Sequence, residues 1–409
     1  MSKITITPKK LSGRVQVPPS KSIAHRAIIC ASLANGTSVV SNLSFSDDIK
    51  ATIDAMKKAG ADISISGDTA TIVGINSFEK VDSLIDCNES GSTLRFLIPV
   101  MASLFPEVSF TGRGRLGKRP LDVYYDIFKR QNICYSVNDN PFTLSISGRL
   151  TGGIFEVPGD ISSQFITGLL LALPLADTDS EIIITGALES KGYLDLTLEA
   201  IKAFGVNIVN EEYKRFIIKG NQRYIPTSYT VEGDYSQAAF FEVANFIGNN
   251  VEIIGTNPDS LQGDKQILEI IDTLKNATET DFVVIDGSQC PDIIPIASVA
   301  ACLRKGKTQF VNVGRLRLKE SDRLSVVAQE LAKIGGNIEV VDDSLVICGV
   351  ESFCGAVVDS HNDHRIAMML AIAASCSDGQ VTIVGHECVS KSYPDFFEVY
   401  KSLGGEFFE

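Results

Sequence analysis

The segment PPSKSIAHRAI, residues 18–28, places two serines and two cations where a helix is predicted to begin. An apolar run follows Arg26, and the turn before it contains Ser20, Lys21 and Ser22. Free backbone N–H groups and the helix dipole favour anions at a helix N-terminus, so cations there work against the dipole. The arrangement therefore predicts that an anion binds at this turn.

Five further polar turns precede apolar helices. The six turns read SKS (20–22), SGS (90–92), SSQ (162–164), YSQ (235–237), CPD (290–292) and NDH (362–364). Serine and aspartate at such positions commonly cap the helix, which is the simplest explanation for them. Capping does not account for the arginines that follow, such as Arg95 and Arg365, and an anion would.

More basic residues cluster at other predicted helix starts. They are Arg119 before Pro120, Lys319 and Arg323 in RLKESDRL, Lys391 in VSKSYPD, and Lys191 beside Ser190 and Tyr193 in LESKGYLD. A solvated surface would distribute its lysines and arginines over the helix flanks. We therefore predict a shared anion site, in which each contact to phosphate or carboxylate contributes about 1.5–3 kcal/mol.

Two carboxylates lie among these cations and are candidates for proton transfer. Asp292 is in the turn CPDIIP, and Glu320 is in LKESDR. A single aspartate at a helix start is more often a cap. Two carboxylates surrounded by cations favour acid–base chemistry.

Three short motifs suggest other ligands, and each has a feature against it. GRGRLG (112–117) matches a dinucleotide-binding pattern, but basic residues fill its variable positions and no longer βαβαβ run surrounds it. The same stretch resembles a P-loop, but Arg119 stands where Ser or Thr must bind magnesium. HNDH (361–364) lacks a further His/Cys pattern that would complete a metal site. We therefore expect no metal and no cofactor.

The elements that carry these turns form six copies of one unit. Each copy reads as a short strand, a polar turn, a buried apolar helix and a second strand, followed by a more charged helix with strand pieces. The charged helices show the i, i+3, i+4 spacing of a helix with one solvent-facing side. Six copies in 409 residues predict an α/β protein of two similar domains, joined near 223–233.

Composition limits the classes of partner. The hydrophobic fraction of 44% is that of a globular protein, and a net charge of −13 argues against nucleic acid or an anionic membrane as partner. The longest apolar run, 165–176, is too short to span a bilayer. Nine cysteines without a CxxC pair predict reduced thiols in a cytoplasmic protein.

Nine motifs resemble those of the 5-enolpyruvylshikimate-3-phosphate synthase family. In chain order they are PPSKSIAHR, SGSTLR, KRPLD, SSQFITGLLLALPL, SKGYLD, PDIIP, LKESDR, NDHRIAM and KSYPDFFE. The resemblance covers essentially the whole chain and implies an inside-out α/β barrel fold with two similar domains of three βαβαββ units each. We expect the domains to be 1–20 plus 228–409 and 21–227, with hinges near 18–22 and 223–233.

The resemblance implies a transferase of the shikimate pathway of aromatic amino-acid biosynthesis, and a target of glyphosate. Such an enzyme transfers the enolpyruvyl group of phosphoenolpyruvate to the 5-hydroxyl of shikimate 3-phosphate and releases phosphate, through a tetrahedral ketal intermediate. The residues implied to bind shikimate 3-phosphate are Lys21, Ser22, Arg26, Ser162, Ser163, Gln164, Ser190, Tyr193, Asp292 and Lys319. Those implied to bind phosphoenolpyruvate are Lys21, Gly91, Arg119, Gln164, Arg323, Arg365 and Lys391. Asp292, Glu320 and Lys21 are the implied catalytic residues, and the assignment of each proton stays open. We expect a monomer that closes when both substrates bind.

Two positions depart from the family pattern. Glu89 and its neighbours replace the common Asn-Ala-Gly-Thr, and Arg315 stands where many members have asparagine. One alternative is UDP-N-acetylglucosamine enolpyruvyl transferase, which usually has a cysteine where this chain has Gly114. Another is a non-catalytic anion-binding protein, which would not need both Asp292 and Glu320.

Overall fold

The computed structural model describes residues 2–75 and 84–409, which form two compact units. The continuous unit is Pro19–Glu232, and the discontinuous unit combines Met1–Pro18 with Gly233–Glu409. The division thus falls before residue 19 and after residue 232, where the sequence analysis placed it after residues 20 and 227. Each unit has its own core of buried aliphatic and aromatic side chains.

The chain contains short strands and mostly short helices. The strands are β1 (Lys3–Thr7), β2 (Ser12–Gln16), β3 (Thr37–Ser41), β4 (Asp62–Ser66), β5 (Thr69–Val73), β6 (Ile85–Asp86), β7 (Glu107–Thr111), β8 (Cys134–Asp139), β9 (Phe142–Ser147), β10 (Ile154–Pro158), β11 (Ser180–Thr185), β12 (Ile208–Glu211), β13 (Arg215–Ile218), β14 (Ser228–Thr230), β15 (Asn250–Ile254), β16 (Phe282–Asp286), β17 (Lys307–Val311), β18 (Asn337–Val341), β19 (Ser344–Cys348), β20 (Ala356–Asp359), β21 (Val381–Val384) and β22 (Glu406–Phe408). The α-helices are α1 (Lys21–Leu33), α2 (Asp47–Lys58), α3 (Gly91–Leu104), α4 (Asp122–Arg130), α5 (Ser163–Ala172), α6 (Lys191–Ala203), α7 (Tyr235–Phe246), α8 (Ile267–Asn276), α9 (Ile294–Leu303), α10 (Arg323–Lys333), α11 (His364–Ala374) and α12 (Phe396–Ser402). Short 3₁₀ helices cover Leu116–Lys118, Leu173–Leu175, Gly263–Gln266, Gly314–Leu318 and His386–Lys391.

The continuous unit repeats one sheet pattern three times. Its sheets have the strand orders β14-β3-β5-β4, β6-β7-β9-β8 and β10-β11-β13-β12. In each sheet the first two strands are parallel and the other pairs are antiparallel. Helices α1, α3 and α5 are apolar nearly all round and are buried, whereas α2, α4 and α6 each keep polar residues on an exposed face.

The discontinuous unit follows the same plan. Two of its sheets, β16-β17-β19-β18 and β20-β21-β1-β22, have the same parallel-then-antiparallel order, and β15 pairs with β2 alone. Helices α7, α9 and α11 are buried and contact one another. The predicted fold class is therefore confirmed.

Two repeats exchange their first strands. Strand β2 precedes α1 along the chain but pairs in parallel with β15 of the discontinuous unit. Strand β14 precedes α7 but pairs in parallel with β3 of the continuous unit, so residues 228–230 do not belong where the sequence analysis placed them. A strand pattern predicts a strand but not its partner, because pairing joins residues that are far apart in the sequence.

Two predicted helix starts are wrong. Pro120 does not begin a helix, because the 3₁₀ helix before it ends at Lys118 and α4 begins only at Asp122. Lys391 is the last residue of a 3₁₀ helix, and α12 begins at Phe396. Across 2–75 and 84–409, the structure has no helix long and apolar enough to cross a membrane.

Candidate active site

The discontinuous unit gathers cations and carboxylates around Arg323, the first residue of α10. The Arg323 side chain is 1% exposed, and its Nε donates to Asp363 Oδ2 at 2.7 Å. Nη1 donates to Asp292 Oδ1 at 2.9 Å, and Nη2 donates to Glu320 Oε2 at 2.5 Å. Burial alone would lower the pKa of Arg323, but the three carboxylates raise it above its ordinary value. The guanidinium therefore stays charged.

Asp292 lies in the turn before α9 and binds three cations. Lys319 Nζ is 3.0 Å and Arg323 Nη1 is 2.9 Å from Asp292 Oδ1, and Arg365 Nη2 is 3.1 Å from Oδ2. Burial opposes ionisation of this carboxyl group, but Arg365, Lys319 and Arg323 hold its pKa well below the usual range. Asp292 is thus an anion that holds the cations in place.

Lys319 follows the 3₁₀ helix Gly314–Leu318, and its environment favours loss of a proton. Burial is the largest cause of a lowered pKa, and the charges of Arg323 and Arg315 act in the same direction. Asp292 and Glu320 oppose this effect. Arg315, the residue that departs from the family pattern, therefore acts electrostatically on a predicted substrate ligand.

Asp363 is a member of this cluster that the sequence analysis recognised only as part of a capping turn. Its side chain caps α11 by accepting from the N–H of Arg365, and it is fully buried. It also accepts from Ser321 Oγ at 2.9 Å and from Arg323. Capping and charge pairing thus coexist in one residue, and no local sequence signal predicts the second role.

The remaining predicted cations of this unit lie around α11. Arg365 is in the first turn of α11, and its Nη2 also donates to Ser236 Oγ at 3.2 Å. The Lys391 ammonium donates to the backbone carbonyl of Asn362 at 2.7 Å. The structure therefore brings Asp292, Lys319, Glu320, Arg323 and Arg365 into one cluster and connects Lys391 to the turn beside it.

In the continuous unit, Lys21 begins α1 and pairs with an aspartate of α2. Its Nζ lies 2.8 Å from Asp48 Oδ2, and both side chains are largely buried. Asp48 was not among the predicted site residues. It stands second in α2, where an acidic residue also suits the helix dipole. The pair fixes the lysine at the helix start.

Arg26, one turn further along α1, donates to several groups of the protein. It donates to the carbonyls of Ser22 at 2.5 Å and Tyr193 at 2.9 Å, and to Thr197 Oγ1 at 2.7 Å. Burial lowers its pKa to about 10. Arg26 thus joins the start of α1 to the start of α6, and direct binding of substrate by Arg26 stays a prediction.

Gln164, in the first turn of α5, connects two other helix starts. Its Oε1 accepts from Arg95 Nη1 at 2.9 Å, and its Nε2 donates to Ser92 Oγ at 3.0 Å. Arg95 also donates to the Pro120 carbonyl at 2.9 Å. Arg95 is predicted to face an anion, but in the structure it binds Gln164 and the segment before α4.

Gly91, the first residue of α3, faces the guanidinium of Arg119. A Cβ atom at this position would lie 2.3 Å from Arg119 Nη1. Real Cβ contacts do not reach that distance, so Arg119 can occupy its place only because residue 91 is glycine. The two predicted phosphoenolpyruvate ligands are therefore neighbours.

Serines begin the helices α5 and α6. Ser162 caps α5 by accepting from the N–H of Gln164, and Ser163 follows it as a buried residue. Ser190 precedes α6 with a left-handed backbone, φ 57°, and is fully buried. Left-handed conformations at non-glycine residues are unfavourable and are concentrated at functional sites.

A chain of neutral hydrogen bonds supports the starts of α1 and α3. His25 Nδ1 is 2.7 Å from Thr52 Oγ1, which is 2.7 Å from Thr93 Oγ1. Thr93 donates in turn to Ser90 Oγ, the cap of α3, at 2.7 Å. Burial, followed by the charges of Lys21 and Arg26, lowers the pKa of His25 well below its usual value. The imidazole is therefore neutral.

The disfavoured motifs have other roles in the structure. In GRGRLG, Arg113 pairs with Asp86 at an exposed position, and β7 has the antiparallel neighbour β9 on one side instead of a dinucleotide-binding arrangement. In HNDH, His361 binds Glu330 and Asp363 binds Arg323. Over residues 2–75 and 84–409, no group of three or more His, Cys, Asp or Glu side chains is arranged to hold a metal ion.

The repeated units and the buried cation–carboxylate cluster define an anion-binding α/β protein. The family model for EPSP synthase (3-phosphoshikimate 1-carboxyvinyltransferase) matches residues 6–400. The chain belongs to the EPSP synthase family, as the nine motifs predicted.

The chain is also similar to named EPSP synthases over nearly its full length. A 3-phosphoshikimate 1-carboxyvinyltransferase from Clostridioides difficile is 53% identical, covering 99% of this chain and 98% of that protein. One from Clostridium botulinum is 51% identical, covering 100% and 99%. The solved EPSP synthase from Acinetobacter baumannii is 25% identical with a TM-score of 0.81, covering 100% of both chains.

Proposed function

We propose that this chain transfers the enolpyruvyl group of phosphoenolpyruvate to the 5-hydroxyl of shikimate 3-phosphate and releases phosphate. The full-length family match and relatives of about half identity support this activity. The observation that carries the mechanism is the cluster in which Lys319, Arg323 and Arg365 all bind Asp292, with Glu320 on the same Arg323. Both substrates are anions, and the reaction needs cations and two proton-transferring groups.

In the discontinuous unit, we assign the phosphoenolpyruvate contacts to Arg323, Arg365 and Lys391, and a shikimate 3-phosphate contact to Lys319. These cations are held by carboxylates or a carbonyl before any substrate binds. A substrate anion therefore exchanges with protein carboxylates, and the desolvation of the cations does not have to be repeated. When the cations turn toward substrate, Asp292 loses neighbouring positive charge, and its affinity for a proton rises.

The proton steps follow from this exchange. Asp292 accepts the proton of the 5-hydroxyl group of shikimate 3-phosphate as the hydroxyl oxygen bonds to C2 of phosphoenolpyruvate. At the same time, C3 of phosphoenolpyruvate takes a proton and becomes a methyl group. Once Arg323 has turned toward the substrate, Glu320 takes up a proton from solvent and passes it to C3. Glu320 later removes a proton from the methyl group as the bond between C2 and the phosphate oxygen breaks, and Asp292 gives its proton to the departing phosphate or to solvent. Lys21 is placed by Asp48 to stabilise the charge that develops on the phosphate.

In the continuous unit, we assign recognition of shikimate 3-phosphate to the helix-start hydroxyls of Ser22, Ser162, Ser163 and Ser190. Helix N-termini favour phosphate, and Arg26 fixes the carbonyls of Ser22 and Tyr193. Gln164, which Arg95 and Ser92 hold in place, serves both substrates. Gly91 and Arg119 form a further phosphoenolpyruvate contact.

Phosphate release from phosphoenolpyruvate tests the proposal. We expect release with shikimate 3-phosphate and none with UDP-N-acetylglucosamine, which the names of the relatives also disfavour. Asp292→Asn and Glu320→Gln should each reduce turnover by about 10²–10⁴-fold, the usual contribution of a proton-transferring group. The matched control is Asp286→Asn, at the exposed end of β16, which should keep wild-type turnover.

Three results would contradict the proposal. Release only with the nucleotide sugar would change the acceptor. No release with either acceptor would leave an anion-binding protein. Unchanged turnover in both carboxylate variants would remove the assigned proton transfers.

A further inference from the structure

A buried carboxylate on α10 holds the turn that connects β20 to α11. Glu330 is fully buried, with 0% of its side chain exposed. Its Oε2 accepts from the backbone N–H of Asp359 at 2.9 Å, and its Oε1 lies 2.8 Å from His361 Nε2. Lys333 Nζ is 2.8 Å from both oxygens. Burial opposes ionisation of Glu330, but Lys333, His361 and the Asp359 N–H together lower its pKa below the ordinary value.

The turn that Glu330 contacts, residues 360–363, also contacts three proposed phosphoenolpyruvate ligands. Arg323 binds the carboxylate of Asp363. Lys391 binds the carbonyl of Asn362. Arg365 lies two residues after the turn, and its backbone N–H donates to the side chain of Asp363. A displacement of this turn would therefore move the partners of all three cations together.

The backbone of the turn is unfavourable by itself. His361 and Asn362 have consecutive left-handed conformations, with φ of 51° and 56°. Asparagine and histidine adopt this region more often than most other non-glycine residues, but two such residues in succession need support from their surroundings. The contact between Glu330 and His361 therefore helps to hold a backbone conformation that needs such support.

Helix α10 reaches the turn at two points. Arg323 and Glu330 are seven residues apart, so they lie on the same side of the helix, about 10 Å apart along its axis. Arg323 contacts the end of the turn at Asp363, and Glu330 contacts its beginning at Asp359 and His361. One rigid helix thus fixes both ends of the segment.

We propose that Glu330 is a positioning residue for phosphoenolpyruvate binding: it holds the 360–363 turn through Asp359 and His361, and the turn places Arg323, Arg365 and Lys391. This inference rests on the proposed function of those three cations. Glu330 itself contacts no cation assigned to a substrate, so its effect reaches the substrate only through the turn.

The first test is Glu330→Gln, measured as separate KM values for the two substrates. Glutamine keeps one oxygen and cannot accept from Asp359, His361 and Lys333 together. We expect the KM for phosphoenolpyruvate to rise about tenfold, while the KM for shikimate 3-phosphate stays within twofold. The control is Lys333→Gln, because Lys333 binds Glu330 but not the turn and is 39% exposed; it should leave both KM values within twofold.

Variants of His361 separate the side-chain contact from the backbone conformation. Asparagine suits a left-handed backbone but is too short to reach Glu330, so His361→Asn should raise the KM for phosphoenolpyruvate. Glutamine is long enough to donate to Glu330, so His361→Gln should restore most of the affinity. Equal effects of the two variants, or equal changes in both KM values for Glu330→Gln, would overturn the inference.

Hydrogen exchange supplies a readout that needs no substrate. In Glu330→Gln, amides in 360–366 should exchange faster than in wild type, while those in 21–26 of α1 keep their rates. Unchanged exchange in 360–366 would overturn the inference even if the enzyme were active. Absence of phosphate release by the wild-type protein would instead contradict the proposed function, and the exchange experiment would still test the role of Glu330.

Discussion

The two units place polar residues at helix starts by different chemistry. Around Arg323, the discontinuous unit uses full charges: Asp292, Glu320 and Asp363 surround one buried guanidinium. At the starts of α1 and α3, the continuous unit mostly uses neutral groups, in which His25, Thr52, Thr93 and Ser90 form a chain of hydrogen bonds. The repeats are alike, so the difference lies in the residues and not in the fold.

This difference separates two ways of preparing for an anion. A charged cluster holds its cations in a desolvated position with the protein's own carboxylates, which a substrate then replaces. Hydroxyl and backbone N–H groups at a helix start need no exchange, because they are dipoles that already favour an anion. We therefore expect the charged cluster to depend strongly on each carboxylate and the neutral network to depend weakly on each hydroxyl.

The largest effect should follow from Asp363→Asn in the charged cluster. The variant keeps the shape of the side chain but leaves the buried Arg323 with one fewer carboxylate. Loss of one partner from a buried ion pair typically costs about 3–5 kcal/mol. The measurement is the free energy of unfolding from urea titration. Asp322→Asn, a partly exposed cap of the same helix α10, is the control. It should cost less than about 1 kcal/mol, because asparagine caps a helix about as well as aspartate and the exposed ion pair with Arg317 is weak. Equal losses in the two variants would contradict the special role of the buried charge.

A smaller effect is expected for Thr52→Val in the neutral network. Valine has the shape of threonine, but His25 Nδ1 and Thr93 Oγ1 lose the hydroxyl between them. An unsatisfied buried polar group costs about 1–3 kcal/mol, so the loss should be below that of Asp363→Asn. Thr71→Val, on the exposed face of β5, should be nearly neutral. If Thr52→Val costs as much as Asp363→Asn, the contrast between the two units fails.

The smallest expected effect, taken per pH unit, is a difference between the pH ranges in which His25 and Asp292 change the free energy of unfolding. His25 has a pKa well below 6.5 in the folded state, so below pH 6.5 only the unfolded chain takes up its proton. The free energy of unfolding should then fall by up to about 1.4 kcal/mol per pH unit, and His25→Gln should remove this slope. Asp292 has a folded pKa well below 3.8, so its stabilisation is complete above that value and is lost only in stronger acid. Urea titrations between about pH 7 and pH 5 measure the His25 window, and the loss from Asp292 begins only below about pH 4. The same slope from pH 6.5 to 5 in wild type and His25→Gln would contradict the assignment.

Much of the fold and of the site could be predicted from local patterns. Apolar periodicity marks the buried helices, and the six polar turns lie at their first residues or just before them, because these signals lie within one element. The exchange of β2 and β14 could not be predicted, because the residue pattern of each strand is compatible with either sheet. The partners Asp48 and Asp363 were missed for a related reason, because a carboxylate at a helix start reads as a cap whether or not a distant cation reaches it.

The exchange of strands has a consequence for how the chain can be rearranged. The first and last strands, β1 and β22, are antiparallel neighbours, with Thr5 opposite Phe408, so the two ends of the chain lie at one sheet. A chain closed by a short linker between its ends and reopened between Pro18 and Pro19 would run through 19–232 and then through 233–409 and 1–18. In that circular permutant each unit would be a single uninterrupted segment, and the backbone would pass from one unit to the other once instead of twice.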